Sequence, residues 1–206
     1  EASLAILRTA ELLVEAGLPP GVVNVVTGLG TEAGAPLAAH PDVNRIAFTG
    51  STGTGREIIK ASAGNMKRLQ LELGGKSPDL VFADADLDKA VPGVAMGVFS
   101  NSGQICFAGT RVFVQRQIQE QFVERLGAYT RTLKVGDPLA PDTQLGPLIS
   151  QRQLERVMGY MAIGQREGAS LAAGGQRLGG ALADGYFLEP TVFSGAGHLA
   201  RSVRQF

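Results

Sequence analysis

RIAFTGSTGTGREIIKASAGNMKRLQLEL, residues 45–73, decides the fold. Arg45 to Phe48 reads as a strand. GSTGTGREIIKASA reads as a glycine turn opening a helix, and Lys67 to Leu73 reads as the next strand. A crossover of helical length joins two strands that must then run parallel. Upstream, Val22 to Val26 (VVNVV) is a β-branched run, expected as a strand buried on both faces. Ser3 to Ala16 reads as a helix with Leu4, Leu7, Leu12 and Val14 at apolar positions, Ser3 as its cap and Gly17 as its stop. LPPG is a turn, TGLGTEAG is a glycine-rich loop, and Pro36 to His40 reads as a short helix. The order β, α, β, α, β predicts a Rossmann-like parallel sheet within an α/β fold.

The pattern then changes. Asp84 to Ser100 reads as a longer helix, with Leu87, Val91, Val94 and Val98 on one face and Pro92 inside as a kink or a late start. A loop around Cys106 and a strand, Arg111 to Gln115, follow. Ile118 to Leu133 and Gln151 to Glu167 read as amphipathic helices, and Ser170 to Ala173 and Tyr186 to Leu188 as strands. The glycine pair within Glu72 to Lys76 ends the first β/α series and is the expected domain boundary, with residues 1–72 on one side and 73–206 on the other.

Composition excludes several functions. Lys plus Arg and Asp plus Glu are 19 each, so the net charge is zero. That balance argues against nucleic acid or an acidic membrane surface as a partner. One cysteine rules out an internal disulfide and reads as intracellular, hence cytoplasmic. His40 and His198 are the only histidines, too few for a zinc site of Cys and His ligands, so no metal is expected. No run of about 18 apolar residues exists to span a membrane.

Three stretches can carry chemistry. FTGSTGTG, residues 48–55, joins a strand to a helix. A helix N-terminus offers unpaired N–H groups and a positive dipole end to phosphate, and the Ser51 and Thr54 hydroxyls could add donors. It is neither G-x-G-x-x-G nor a P-loop, and a plain helix cap explains it equally. In LELGGKSP, residues 71–78, Glu72 stands at the end of a strand, where open α/β sheets bind ligands. Partial burial would raise its pKa toward that of a general base, whereas a solvated or Lys-paired carboxylate is the structural alternative. In NSGQICFAGT, residues 101–110, Cys106 lies among small residues that leave backbone N–H groups free for an oxyanion. An inert buried thiol is the alternative. A thiol hydrolase would need a histidine at Cys106, and His40 reads better as a cation at a helix C-terminus.

Together, FTGSTGTGREI, LELGGKSP and GQICFAG in this order resemble the NAD(P)-dependent aldehyde dehydrogenase superfamily. The likeness extends from AGLPPGVVNVVTG to GYFLEPTVF. It implies part of a Rossmann-like cofactor domain followed by part of an α/β catalytic domain, and NAD or NADP as cofactor. It implies that Cys106 adds to an aldehyde to give a thiohemiacetal and then, after hydride loss to the nicotinamide, a thioester. It implies Glu72 as the base that activates the hydrolytic water, and the Cys106 N–H as half of the oxyanion hole. Gly50, Ser51 and Thr54 match the turn over the pyrophosphate, Gly30 a glycine on the adenine side, Leu73 a residue near the nicotinamide, and Gln153 a glutamine near the nicotinamide ribose. The partner implied is a small aldehyde, aryl or alkyl by likeness to bacterial members, with a homo-oligomeric parent.

Family members are longer at both ends. The Lys-x-x-Glu ribose site and the oxyanion-hole asparagine belong upstream of Glu1, and an E-E-I-F-G-P stretch belongs after TVFSG, where this chain reads GHLARSVRQF. The 206 residues by themselves are therefore expected to turn over little aldehyde. A non-catalytic remnant and a thiol-dependent esterase without nicotinamide are the other readings.

Overall fold

The computed structural model of the chain describes residues 2–195. The chain divides into two compact units, residues 1–74 and 75–206. Among the described residues no helix is long and apolar enough to cross a membrane.

The first unit opens with α1 (Leu4–Glu15). Ser3 gives it no side-chain cap, because its backbone is already helical (φ −92°, ψ −21°). The stop is as expected. Gly17 takes φ +92°, Gly17 N–H donates to Val14 O, and Leu18 N–H donates to Leu13 O. Those two bonds satisfy carbonyls that the last helical turn leaves open, and the left-handed backbone suits glycine. No residue of α1 is buried.

The expected strand Val22–Val26 does not form. Val22, Val23 and Val26 are exposed and pair with no strand among the described residues. β-branched side chains favour extended backbone, but a strand exists only where a neighbour completes its ladder. A single turn of π-helix (Gly30–Gly34) then leads into α2 (Ala35–Ala39). The cation at the end of α2 is not His40, whose Nδ1 instead accepts the Asp42 N–H at 3.2 Å. It is Lys67, only 7% exposed, whose Nζ donates to Ala38 O at 2.6 Å and His40 O at 2.8 Å. The strand–helix–strand unit follows as expected: β1 (Arg45–Gly50), α3 (Thr52–Ser62) and β2 (Arg68–Leu73), with β1 and β2 parallel.

The second unit holds the main core. β3 (Pro78–Val81), a strand the residue pattern did not announce, pairs in parallel with β4 (Arg111–Val114). Between them runs α4 (Leu87–Phe99), capped by the Asp86 carboxylate, which accepts the Asp88 N–H at 3.0 Å. The helix starts three residues later than expected and continues through Pro92. α5 (Gln119–Thr132) packs on α4, and Val91, Ala95, Phe99, Phe122, Leu126, Leu133 and Leu145 close around Val81. Then come α6 (Gln151–Arg166), β5 (Ser170–Ala173) and β6 (Val192–Ser194), the last two antiparallel. Tyr186–Leu188 is not a strand. Only Leu188 forms a bridge, to Arg177, and pairing with β5 begins after Pro190, which has no N–H to give a ladder. His198 and GHLARSVRQF lie outside the described residues.

Phe122 is 1% exposed and Leu4 is 83% exposed. Phe122→Ala should cost about 3–5 kcal/mol in urea unfolding, because it deletes a buried ring and leaves a cavity. Leu4→Ser should stay within about 0.5 kcal/mol. Equal losses would mean that α1 is packed in solution.

Candidate active site

Register positions the first half of the site. Thr49 is level with Glu72 and Gly50 with Leu73, so the paired strands finish together. Gly50, Glu72 and Leu73 thus share the C-terminal edge of a parallel pair, where α/β sheets bind ligands. The chain leaving that edge carries Ser51 and Thr54. A Cβ on Gly50 would lie 2.5 Å from the Phe48 ring, and one on Gly55 would lie 2.9 Å from Leu73 Cδ2. Gly55 therefore lets α3 settle against β2 and holds Leu73 in place.

Ser51 is the N-cap of α3. Its Oγ accepts the Thr54 N–H at 3.1 Å and lies 2.9 Å from Thr54 Oγ1. The two hydroxyls share a hydrogen bond, so they do not offer two separate donors as expected. Among the described residues the backbone N–H groups of Thr52 and Gly53 donate to nothing outside α3, and as first-turn positions they have no acceptor within the helix. Residue identity alone did not single out either one, though a capping serine two places ahead is the signal that would. Gly30 begins the π turn, and a Cβ there would meet nothing within 4 Å. Packing among the described residues does not require glycine at this position.

Glu72 departs from expectation in one respect. The alternation of β2 turns Leu69, Leu71 and Leu73 inward and leaves Arg68, Gln70 and Glu72 exposed, so the partial burial expected of its carboxyl is absent.

Cys106 is exposed and is the free thiol of the second unit, not a buried one. It sits at the apex of a turn closed by Ala108 N–H donating to Ile105 O at 3.2 Å. Its own N–H donates to no described residue. Past the turn, Ala108 is 2% exposed, and Gly109 N–H donates to Gly97 O at 3.4 Å. A Cβ on Gly109 would clash with the Asp79 carboxylate, so any larger residue there must displace that side chain. Ahead of the turn, Asn101, Ser102 and Gly103 are all left-handed, with φ of +51°, +55° and +72°. Such backbone costs about 1–3 kcal/mol per non-glycine residue and persists only where its surroundings enforce it. A Cβ on Gly75 would lie 3.1 Å from Cys106 O, so the second glycine of LELGG is where the chain passes the thiol's own backbone.

Next to Gly75, Lys76 is half-buried. Burial holds its ammonium below the ordinary lysine range, and repulsion from Arg156 lowers it further. Arg111 Nε donates to Lys76 O at 2.8 Å and fixes this segment on β4. Gln153 lies in the first turn of α6, where its N–H donates to the Ser150 cap at 3.3 Å. Among the described residues no group of His, Cys, Asp and Glu could hold a metal. A groove of about 380 Å³ between α4 and α5 touches none of the candidate residues.

The model of the aldehyde dehydrogenase family matches residues 1–205. An aldehyde dehydrogenase of Alternaria alternata is 50% identical over 201 residues, covering 92% of this chain and 40% of the relative. A betaine aldehyde dehydrogenase of Mesorhizobium japonicum is 48% identical over 204 residues, covering 98% and 42%. The NAD+ complex of the Bacillus cereus aldehyde dehydrogenase superposes with a TM-score of 0.92 at 46% identity, covering 97% of this chain and 40% of that one. The chain belongs to the aldehyde dehydrogenase family. It spans about 40% of the length of these relatives, and its fold is part of their α/β, Rossmann-like architecture.

Lys76 offers a test through pH. Its folded-state pKa lies below the ordinary 10.5, so between the two values the unfolded chain binds more protons. Stability should therefore rise with pH across that window. Thermal midpoints of the parent and of Lys76→Met between neutral pH and pH 10.5 measure it, and the variant should lose that component of the rise.

Proposed function

We propose that these residues carry the nucleophile, the base and part of the cofactor site of an NAD- or NADP-dependent aldehyde dehydrogenase. The observation that carries this reading is Cys106: a solvent-exposed thiol at the apex of a supported turn, with its own N–H unpaired among the described residues. Residues 1–72 serve the cofactor, and residues 73–206 form part of the catalytic half. The working assembly is a soluble homo-oligomer acting on a small aldehyde.

The Cys106 thiolate adds to the aldehyde carbon, and the carbonyl electron pair moves onto oxygen. The Cys106 N–H then donates to that oxyanion, where a preorganised donor acts most strongly. A nicotinamide, when bound, would supply the hydride acceptor for oxidation of the thiohemiacetal to the thioester. Glu72 takes a proton from water as the water attacks the thioester carbon. The carbon–sulfur bond breaks, the carboxylic acid leaves, and the thiolate returns.

The fold fits a dinucleotide at the end of β1. The Thr52 and Gly53 N–H groups and the positive end of the eleven-residue α3 suit the pyrophosphate, with no acidic residue in the first turn to repel it. Gly50 keeps the strand end low, Ser51 and Thr54 hold the turn, and Gly30 suits the adenine side. Leu73, seated against Gly55, would lie near the nicotinamide. Gln153, in the α6 first turn, is proposed to meet the nicotinamide ribose.

The test uses a chain of the relatives' full length that carries these residues. Cys106→Ala should lose aldehyde-dependent NADH formation to below detection. Glu72→Gln should still form the thioester but release acid at least about 100-fold more slowly, as expected for loss of a general base. Normal steady turnover by Glu72→Gln would remove Glu72 from its role. Ester cleavage that depends on Cys106 but not on NAD would favour the esterase reading.

A further inference from the structure

We propose that Gln104 is the positioning residue for the Cys106 thiol, acting by latching the left-handed turn Asn101–Gly103 onto the segment Gly146–Ile149. The proposal rests on Cys106 being the acyl-accepting nucleophile.

The reasoning starts from what steers the chain between α4 and Cys106. Downstream of the thiol, support is dense: Ala108 is buried, and Gly109 is wedged under Asp79. Upstream, α4 ends at Phe99, and the backbone reverses through three left-handed residues. Asparagine and glycine tolerate that conformation but the serine between them does not, so contacts outside the turn are needed to hold Ser102 in it. Gln104 holds the turn through four hydrogen bonds. Its N–H donates to Asn101 O at 3.1 Å, its carbonyl accepts from Asn101 Nδ2 at 3.3 Å, its side-chain Nε2 donates to Asn101 O at 3.4 Å, and its side-chain Oε1 accepts the Ile149 N–H at 3.0 Å. Ser102 Oγ adds a second tie, donating to Gly146 O at 2.7 Å. Both ties end on the segment that leads into the Ser150 cap of α6, so the turn is anchored to a helix and not to solvent. Gln104 is the last residue before the thiol that is tied to the segment leading into α6; only Ile105 lies between them.

Such a latch matters for one kind of reaction and not another. Acyl transfer needs the sulfur, the carbonyl carbon and the Cys106 N–H in one geometry, since the oxyanion forms beside that donor. Alkylation by iodoacetamide forms no oxyanion and needs only an accessible thiolate. The ratio of the two rates therefore reports position, and the thiolate fraction cancels from it. Peptide mapping restricts the alkylation count to Cys106, and a Cys106→Ala control restricts the acylation count to the same thiol.

The experiment measures p-nitrophenolate release from p-nitrophenyl acetate and iodoacetamide labelling of the Cys106 peptide by mass, on a chain of the relatives' full length that carries these residues and on its variants. Gln104→Leu removes the acceptor for Ile149 N–H. It should lower the acylation-to-alkylation ratio by about ten- to a hundredfold, the penalty of a misplacement near 1 Å. Gln104→Glu keeps that acceptor and should restore most of the ratio. Ser102→Ala, which cuts the other tie, should lower the ratio less, and it supplies the answer if Gln104→Leu fails to fold. An unchanged ratio in Gln104→Leu, or in Ser102→Ala when that variant alone folds, overturns the proposal, as does a failure of Gln104→Glu to rescue. A parent chain that alkylates but never acylates overturns the reading of Cys106 as an acyl acceptor, and with it this proposal.

Discussion

The burial of α4 is the constraint on which the second unit depends. Ala95 is wholly buried, and Val91 and Phe99 flank it one turn away on either side, facing Phe122 and Leu126 of α5. Small and large side chains interlock there at the density of a protein interior, so the helix cannot slide or roll without opening a cavity. Phe99 is both the last residue of α4 and a core residue. The chain that reverses toward Cys106 therefore leaves from a fixed point. Gly109 bonds back to Gly97 on the same helix, so both arms of the loop refer to one rigid element. A nucleophile needs to be exposed and fixed at once, and a loop strung from a buried helix meets both demands.

The first unit works by spacing more than by burial. No residue of α1, β1 or β2 is fully buried. What is exact is the fit of Gly55 against Leu73 and the level finish of the two strands. Those contacts bring a helix N-terminus, a glycine turn and a carboxylate to one edge. Lys67 adds a second fixed point by carrying its charge inside to the carbonyls that end α2. A buried ammonium is tolerable there because two carbonyl oxygens and the negative end of a helix dipole surround it.

Legibility in the sequence tracked how local the cause was. The Gly17 stop, the β1–α3–β2 unit and helices α4 to α6 all rest on residues close together in the chain, and all were readable. Val22–Val26 was misread because β-branching reports a preference for extended backbone and says nothing of whether a partner strand is present. Tyr186–Leu188 failed for a related reason: β5 pairs beyond Pro190 instead. The Ser3 cap failed because its backbone is already helical, and the helix-end cation was misassigned because Lys67 arrives from 27 residues away. In the site, residue types announced Cys106, Glu72 and the Gly50–Thr54 turn. The hydrogen bond between the Ser51 and Thr54 hydroxyls, the exposure of Glu72 and the latch on Gln104 were invisible until the backbone was placed.

The sequence by itself determined the family, the chemistry-bearing residue types and the parallel strand–helix–strand unit. Motif order, helical period and glycine placement are properties of neighbours along the chain. Only the tertiary structure decided which groups are free to act. Whether a thiol is exposed, a hydroxyl is already spent on a cap, or a strand finds its neighbour depends on atoms distant in sequence. Ile149 reaching Gln104 across 45 residues is the clearest case: a hydrogen bond is short-ranged and directional, so its partner exists only once the fold has brought the two together.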